Sequence, residues 1–326
     1  MPAFDAVLVV SFGGPQGPDD IRPFLANVLR GRRVAPERVE EVAHHYERFG
    51  GVSPITAITG RQAKGLEARL RDEGEPLPVY VGMRNWHPYL ADTLREMHSA
   101  GVRRAIGFIA AAQHSYSSCQ QYRENVAAAR AELRAQGADV EVTFVGSWFD
   151  HPGFVQANAA HVRAALARLD PPLQDAARLV CTAHSIPVPM ARRSRYEAQL
   201  RESSRLVAEA AGLRDWELVY QSRSGRPEDP WLGPDVGEYL RAARADGLQA
   251  AVLCPIVFVC DHIEVLYDLD QEAAAVCREI GLPMVRAEAV NDDPRFLDMM
   301  ADMVLRTVRR YDSGRPLPLT SISVTP

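Results

Sequence analysis

Lysine is almost missing from this chain: Lys64 is the only one among 37 basic residues, and the rest are arginine. In a sequence so rich in Ala and Arg, a biased genome accounts for that imbalance, so arginine clusters carry less functional weight than usual. No two cysteines form a C-x-x-C pair, and the five, at 119, 181, 254, 260 and 277, are odd in number. A cytosolic protein with reduced thiols is the simplest reading. Cys254 and Cys260 are expected on one face of a strand, as core residues. The apolar run Ala250–Cys260 is about half the length of a membrane-spanning helix, so no transmembrane segment is expected. Met1-Pro2-Ala3-Phe4-Asp5 has no basic region before its apolar run, which excludes a signal peptide and points to the cytoplasm. Ser11-Phe12-Gly13-Gly14-Pro15 is glycine-rich but is not G-x-G-x-x-G, and Pro15 and Pro18 interrupt the turn. There is no P-loop and no G-x-S-x-G elbow.

What remains is a globular protein. Its 326 residues suit two domains, and 47% apolar with 24% charged residues is ordinary for such chains. A net charge of −5 argues against a general nucleic-acid binder.

Short apolar runs alternate with amphipathic helical stretches. The runs are Ala6–Phe12, Pro78–Met83, Ala105–Ala112, Val140–Val145, Ala177–Ala183, Glu217–Gln221, Ala250–Cys260 and Pro283–Val285. Helices are expected over Arg61–Asp72, Leu90–Ser99, Tyr122–Gln136, Pro152–Arg168, Arg195–Ala211 and Gly237–Ala245. This order predicts an α/β fold with parallel sheets buried on both faces. The halves look alike: Val79–Arg84 resembles Leu218–Arg223, and Gly107–Tyr116 resembles Val257–Glu264. Two doubly wound domains, residues 1–150 and 151–293, are therefore expected to face a shared cleft. Residues 294–326 would form a helix packing back on the first domain and a poorly ordered tail from Asp312.

The segment Asp261–Gln271 is the most informative. Glu264, Asp268 and Glu272 recur every four residues, which puts three carboxylates on one helical face. Like charges so placed repel, and a divalent cation nearby would explain them. A solvated acidic face is the plainer reading. The segment's start, at the carboxyl end of a buried strand, is where open α/β folds place ligands. His184 emerges at the end of a neighbouring strand, at the same sheet edge as Glu264. Such a pair could bind a divalent first-row metal or exchange protons near neutral pH.

Six motifs then match one family together: Ser11-Phe12-Gly13-Gly14-Pro15, Gly50-Gly51-Val52-Ser53-Pro54-Ile55, Gly82-Met83-Arg84, Ala183-His184-Ser185-Ile186-Pro187, Tyr220-Gln221-Ser222-Arg223 and Asp261–Asp268. In this order and spacing the chain resembles the ferrochelatases, from about residue 5 to residue 310. The resemblance implies two similar four-stranded domains around a porphyrin cleft. It implies insertion of Fe²⁺ into a porphyrin in haem synthesis, with release of two protons and no redox cofactor. It matches His184 and Glu264 to the family's facing pair, and Asp268 and Glu272 to acids leading metal inward. Ser53 and Tyr122 match porphyrin-contacting positions, and Arg30, His45 and Tyr46 lie in matching segments. Phe12, Ile55, Tyr122 and Trp148 could wall the macrocycle, although Trp148 suits a core position better.

The polar interval Leu29–Arg33 and His44–Arg48 resembles the soluble enzymes of Gram-positive type. Coproporphyrin III, with four propionates, is therefore the expected substrate, and protoporphyrin IX the alternative. A cobalt or nickel tetrapyrrole chelatase and a non-catalytic haem carrier stand behind these. Phe12 stands where some soluble members carry a Tyr that ligates the product iron, so that bond is unavailable. Leu29 and His45 stand where Arg occurs in some members. Some relatives bind a [2Fe–2S] cluster through C-terminal cysteines; with none after 277, no cluster is expected. A monomer acting on porphyrin and Fe²⁺, with no nucleic-acid partner, completes the expectation.

Overall fold

In the computed structural model, which describes residues 3–31, 34–224 and 228–314, the chain forms two four-stranded parallel sheets flanked by helices. The expected α/β class is what the chain adopts. The strands are β1 (Ala6–Ser11), β2 (Val79–Met83), β3 (Arg104–Ile109), β4 (Glu141–Phe144), β5 (Ala177–His184), β6 (Trp216–Gln221), β7 (Ala250–Cys254) and β8 (Met284–Arg286). The sheets have the same order, β2-β1-β3-β4 and β6-β5-β7-β8. The central strands β1 and β7 are buried along their whole length. That burial explains why they read as continuous rather than alternating apolar runs.

The internal repeat is real, but its sequence register needs correction. Met83 N donates to Pro88 O at 2.7 Å, and Tyr220 N donates to Pro234 O at 2.9 Å. With Ser11 paired to Met83 and Ala183 to Tyr220, Arg84 corresponds to Gln221 and Phe12 to His184. The matching of Val79–Arg84 to Leu218–Arg223 was out by two residues, because both stretches are apolar and either alignment keeps the same face inward.

Two expectations about the acidic region are also corrected. The run Ala250–Cys260 is not one strand: β7 stops at Cys254, before Pro255, which has no N–H for a ladder. Cys260 therefore leaves the sheet and packs with Ile55, Ile58 and Phe12. The helix behind it is not uniform either. A five-residue α-turn, Ile263–Tyr267, widens into a π-helical stretch, Asp268–Ala273, before α-helix resumes over Ala274–Glu279. Such widenings occur mostly at functional sites.

The helix Ile55–Asp72 starts six residues before the expected Arg61. Helices Ile21–Val28 and Pro36–Glu47, not anticipated as full elements, fill the interval between β1 and that helix. The last helix, Pro294–Asp312, lies between Ile55–Asp72 and Pro152–Leu166, so it touches both halves. Arg61 pairs with Asp292 at 3.0 Å and Arg69 with Asp298 at 2.5 Å. Exposed pairs of this kind contribute little. Burial of Phe296, Met300 and Val304 matters more, in one apolar cluster that also includes Val9, Phe108, Leu179 and Val252. The tail from 315 lies outside the described residues. No described helix is long and apolar enough to cross a membrane.

Candidate active site

His184 is the last residue of β5, so a largely buried strand delivers it to the sheet's carboxyl edge. Tyr196 donates its hydroxyl to the His184 carbonyl at 2.9 Å, a contact that no sequence signal announced. His184 Nδ1 sits 2.5 Å from the Ser185 carbonyl oxygen. A carbonyl accepts only, so Nδ1 carries a proton and donates it, and Nε2 faces the site. That Nε2 lies 4.0 Å from Glu264 Oε2. The separation exceeds a hydrogen bond but is no wider than two metal–ligand bonds of about 2.1 Å. The two side chains keep 31% and 39% of their surface open, so small ions can reach the gap.

Glu264 is held by the N-terminal turn of its helix. His262 caps that helix, its Nδ1 accepting from Glu264 N at 3.1 Å. Burial pushes the His262 pKa down, which keeps the ring neutral and able to accept.

The acids of the motif divide into two groups. Asp261 and Asp270 turn away from the gap and share Arg286, at 2.7 Å and 2.6 Å. Glu264, Asp268 and Glu272 remain. Burial raises the Asp268 pKa to about 7; the negative charges of Glu264 and Glu272 add to the rise, and hydrogen bonds from Ser222 and Gln221 oppose it. Ser222 donates its hydroxyl to Asp268 Oδ2, and Gln221 Nε2 donates to the same oxygen at 3.2 Å. Burial, then the charge of Asp235, raises Glu272. Adjacent carboxylates of raised pKa take up and release protons more readily near neutrality than free ones do.

The first half supplies the facing wall. Tyr46 packs edge-on to Phe24 at 5.6 Å, and burial, then the charges of Glu264 and Asp268, raises its phenol pKa. Arg84 lies over the rings of Phe12 and Tyr122, at 5.9 Å and 5.7 Å. The Tyr122 pKa is raised, mainly by burial, with smaller opposing effects from Arg84 and from Cys260 and Glu264. Phe12 also packs with Ile55 and Cys260. Ser53 is buried against Gly14, where an added Cβ would lie 2.5 Å from the serine Cβ. Gly51, at φ +75°, presses on Pro18 with equal intimacy, so the two Gly-rich motifs fit face to face.

Two further residues of the matching segments have partners within the protein. His45 stacks on Tyr267 with ring centroids 3.5 Å apart, joining the helix Pro36–Glu47 to the acidic helix. Arg30 donates to Asn27 at 2.7 Å and borders a cavity of about 290 Å³ with Arg84, Asn85, Gln121 and Asn125. Trp148 belongs to the core, against Phe108, Phe154 and Phe296. The described residues contain no group of three or more His, Cys, Asp or Glu side chains placed to hold a metal ion.

A family model described as ferrochelatase matches residues 4–308. A coproporphyrin III ferrochelatase of Mycolicibacterium smegmatis is 46% identical over 330 residues, covering 99% of this chain and 96% of its own. A ferrochelatase of Rhodopirellula baltica is 48% identical over 306 residues, covering 93% and 86%. Among solved structures, SirB from Bacillus subtilis with Fe³⁺ superposes with a TM-score of 0.58 at 10% identity, covering 96% of this chain and 98% of that one. At that identity the likeness is one of fold.

Proposed function

The chain belongs to the ferrochelatase family, and from that premise we propose that it inserts Fe²⁺ into coproporphyrin III, giving coprohaem. The observation that carries the reading is the 4.0 Å gap between His184 Nε2 and Glu264 Oε2, with the row of acids behind it. A free porphyrin holds two N–H protons at its centre, and both must leave as the metal enters. The reaction therefore needs a base and a weak metal ligand on one face of the ring. A neutral imidazole and a carboxylate across a small gap supply both tasks. Glu272 and Asp268 would lead hydrated Fe²⁺ toward Glu264, each a ligand of moderate strength, so that the metal is passed on.

The macrocycle would lie against Phe12, Tyr122, Tyr46 and Ser53. The sheets and the helix Pro294–Asp312 give the cleft rigid sides, and a rigid cleft can bend a bound ring using remote binding energy. Coproporphyrin is favoured because its four carboxylates suit Arg30, Arg84 and the polar segment around His45. The relative from Mycolicibacterium smegmatis is named for that substrate. No redox cofactor or iron–sulfur cluster enters the proposal; all five cysteines are buried and unbridged. The proposal takes the protein to act as a monomer in the cytoplasm. Anaerobic Fe²⁺ with either coproporphyrin III or protoporphyrin IX, followed by the Soret shift, tests the choice. Coproporphyrin should turn over faster, and faster protoporphyrin turnover would overturn it.

A further inference from the structure

The motif Tyr220-Gln221-Ser222-Arg223 ends β6 beside the site and has no task in the chemistry above. Gln221 pairs in register with His184 on the neighbouring strand, and its carbonyl accepts from Ser185 N at 2.8 Å. Its side chain reaches the other partner. Nε2 donates to the Glu264 carbonyl at 3.1 Å and to Asp268 Oδ2 at 3.2 Å. The backbone of one residue thus holds the His184 strand while its amide holds the Glu264 helix.

Gln221 is 1% exposed, and its Oε1 has no hydrogen-bond partner. A buried amide left partly unsatisfied is disfavoured against an apolar side chain of similar size. Leu218 and Val219, earlier in the same strand, are the residues such a place ordinarily takes. Ser222 breaks a second local rule. Its φ is +59°, a left-handed conformation natural to glycine and uncommon for serine. Its hydroxyl donates to the same Asp268 oxygen that Gln221 reaches. Two consecutive residues in unfavourable circumstances direct donors at one carboxylate, and departures of this sort cluster at functional sites.

We propose that Gln221 and Ser222 are positioning residues for metal delivery: Gln221 sets the spacing of His184 and Glu264, and Ser222 aims the Asp268 carboxylate at the incoming ion. The inference rests on the metal-inserting reading. It extends that reading to two side chains that the proposed function does not place against the ring.

Ser222→Gly separates the hydroxyl from the backbone, because glycine accepts φ +59° without strain. Relief at the backbone and loss of the hydrogen bond to Asp268 act on stability in opposite directions, so the variant should stay folded. Its KM for Fe²⁺ should rise about fivefold or more while its KM for coproporphyrin stays within about twofold. Gln221→Leu should lower kcat by about tenfold or more, with porphyrin affinity by fluorescence quenching within about twofold. Wild-type metal KM and kcat in both folded variants would overturn the proposal. So would an equal loss of metal and porphyrin affinity with a lower melting temperature, the mark of a merely structural clamp. If Gln221→Leu does not fold, Ser222→Gly decides. Calorimetric titration of Co²⁺ without porphyrin gives a reading independent of turnover. Weaker binding by Ser222→Gly than by wild type supports the positioning role, and equal binding sinks it. Unaltered protein that does not metalate coproporphyrin counts against the functional reading instead.

Discussion

Asp268 carries the most consequential charge state near the gap. Its pKa of about 7 lies well above the ordinary 3.8, chiefly through burial. A carboxyl whose folded pKa is raised contributes stability below its unfolded pKa and loses it as pH climbs through the folded value. Between about pH 4 and pH 7 the folded protein therefore gives up on the order of 4 kcal/mol at this one group. Asp268→Asn should raise the melting temperature at pH 8 and leave it unchanged at pH 4, by calorimetry at both. A variant no more stable at pH 8 would show that Asp268 is solvated. Part of the geometry was legible in the sequence: His184 and Glu264 were expected at one sheet edge, and they stand 4.0 Å apart. Gln221 and Tyr196 were not legible in role, since a polar residue at a strand end gives no hint of which helix its amide will reach. His45 lies in a segment matching the family, and here it stacks on Tyr267. That depends on how two helices distant in sequence meet.

At the scale of elements, the acidic segment combines two jobs. Arg286, on β8, binds Asp261 before the helix and Asp270 within its widened turn. It pins both ends of the segment that presents Glu264 and Asp268. Arg286 and Asp261 are largely buried, and Asp270 keeps 35% of its side-chain surface open. Removing the cation would leave the buried Asp261 with only the Ala289 amide and Asn291 as donors, so Arg286→Met should cost about 3 kcal/mol in urea unfolding. Loss of less than about 1 kcal/mol would place the pair in solvent. The acids' four-residue spacing was visible in the sequence, but the π-helical stretch was not. Ser222, Gln221 and Arg286 all contact the widened turn, and their meeting there depends on the tertiary fold. The strand ending at Cys254 was in principle readable from Pro255, and the apolar residues beyond it masked the signal.

For the whole molecule, the repeat and the parallel order followed from alternating apolar runs, and the sheet orders are identical. What could not be read was the continuity of the core between the halves. The last helix closes it: Phe296 is 1% exposed and meets the rings of Trp148 and Phe154 at 5.9 Å and 6.4 Å. Phe296→Ala should cost about 3–5 kcal/mol. Because the cluster spans both halves, circular dichroism and tryptophan fluorescence should still report one coincident transition. Two separated transitions would mean that the halves fold independently. In the proposed function, this shared core would hold the two sides of the site rigid against a bound ring.

The claim that matters most is that His184 and Glu264 insert iron. Its most direct measurement is anaerobic metalation of coproporphyrin III by the wild type, Glu264→Gln and His184→Ala, with porphyrin binding followed in parallel by fluorescence. The account predicts a Soret shift with the wild type. It predicts a loss of most of that activity, about 100-fold or more, in each folded variant, with porphyrin binding retained. Full activity in both variants would contradict it.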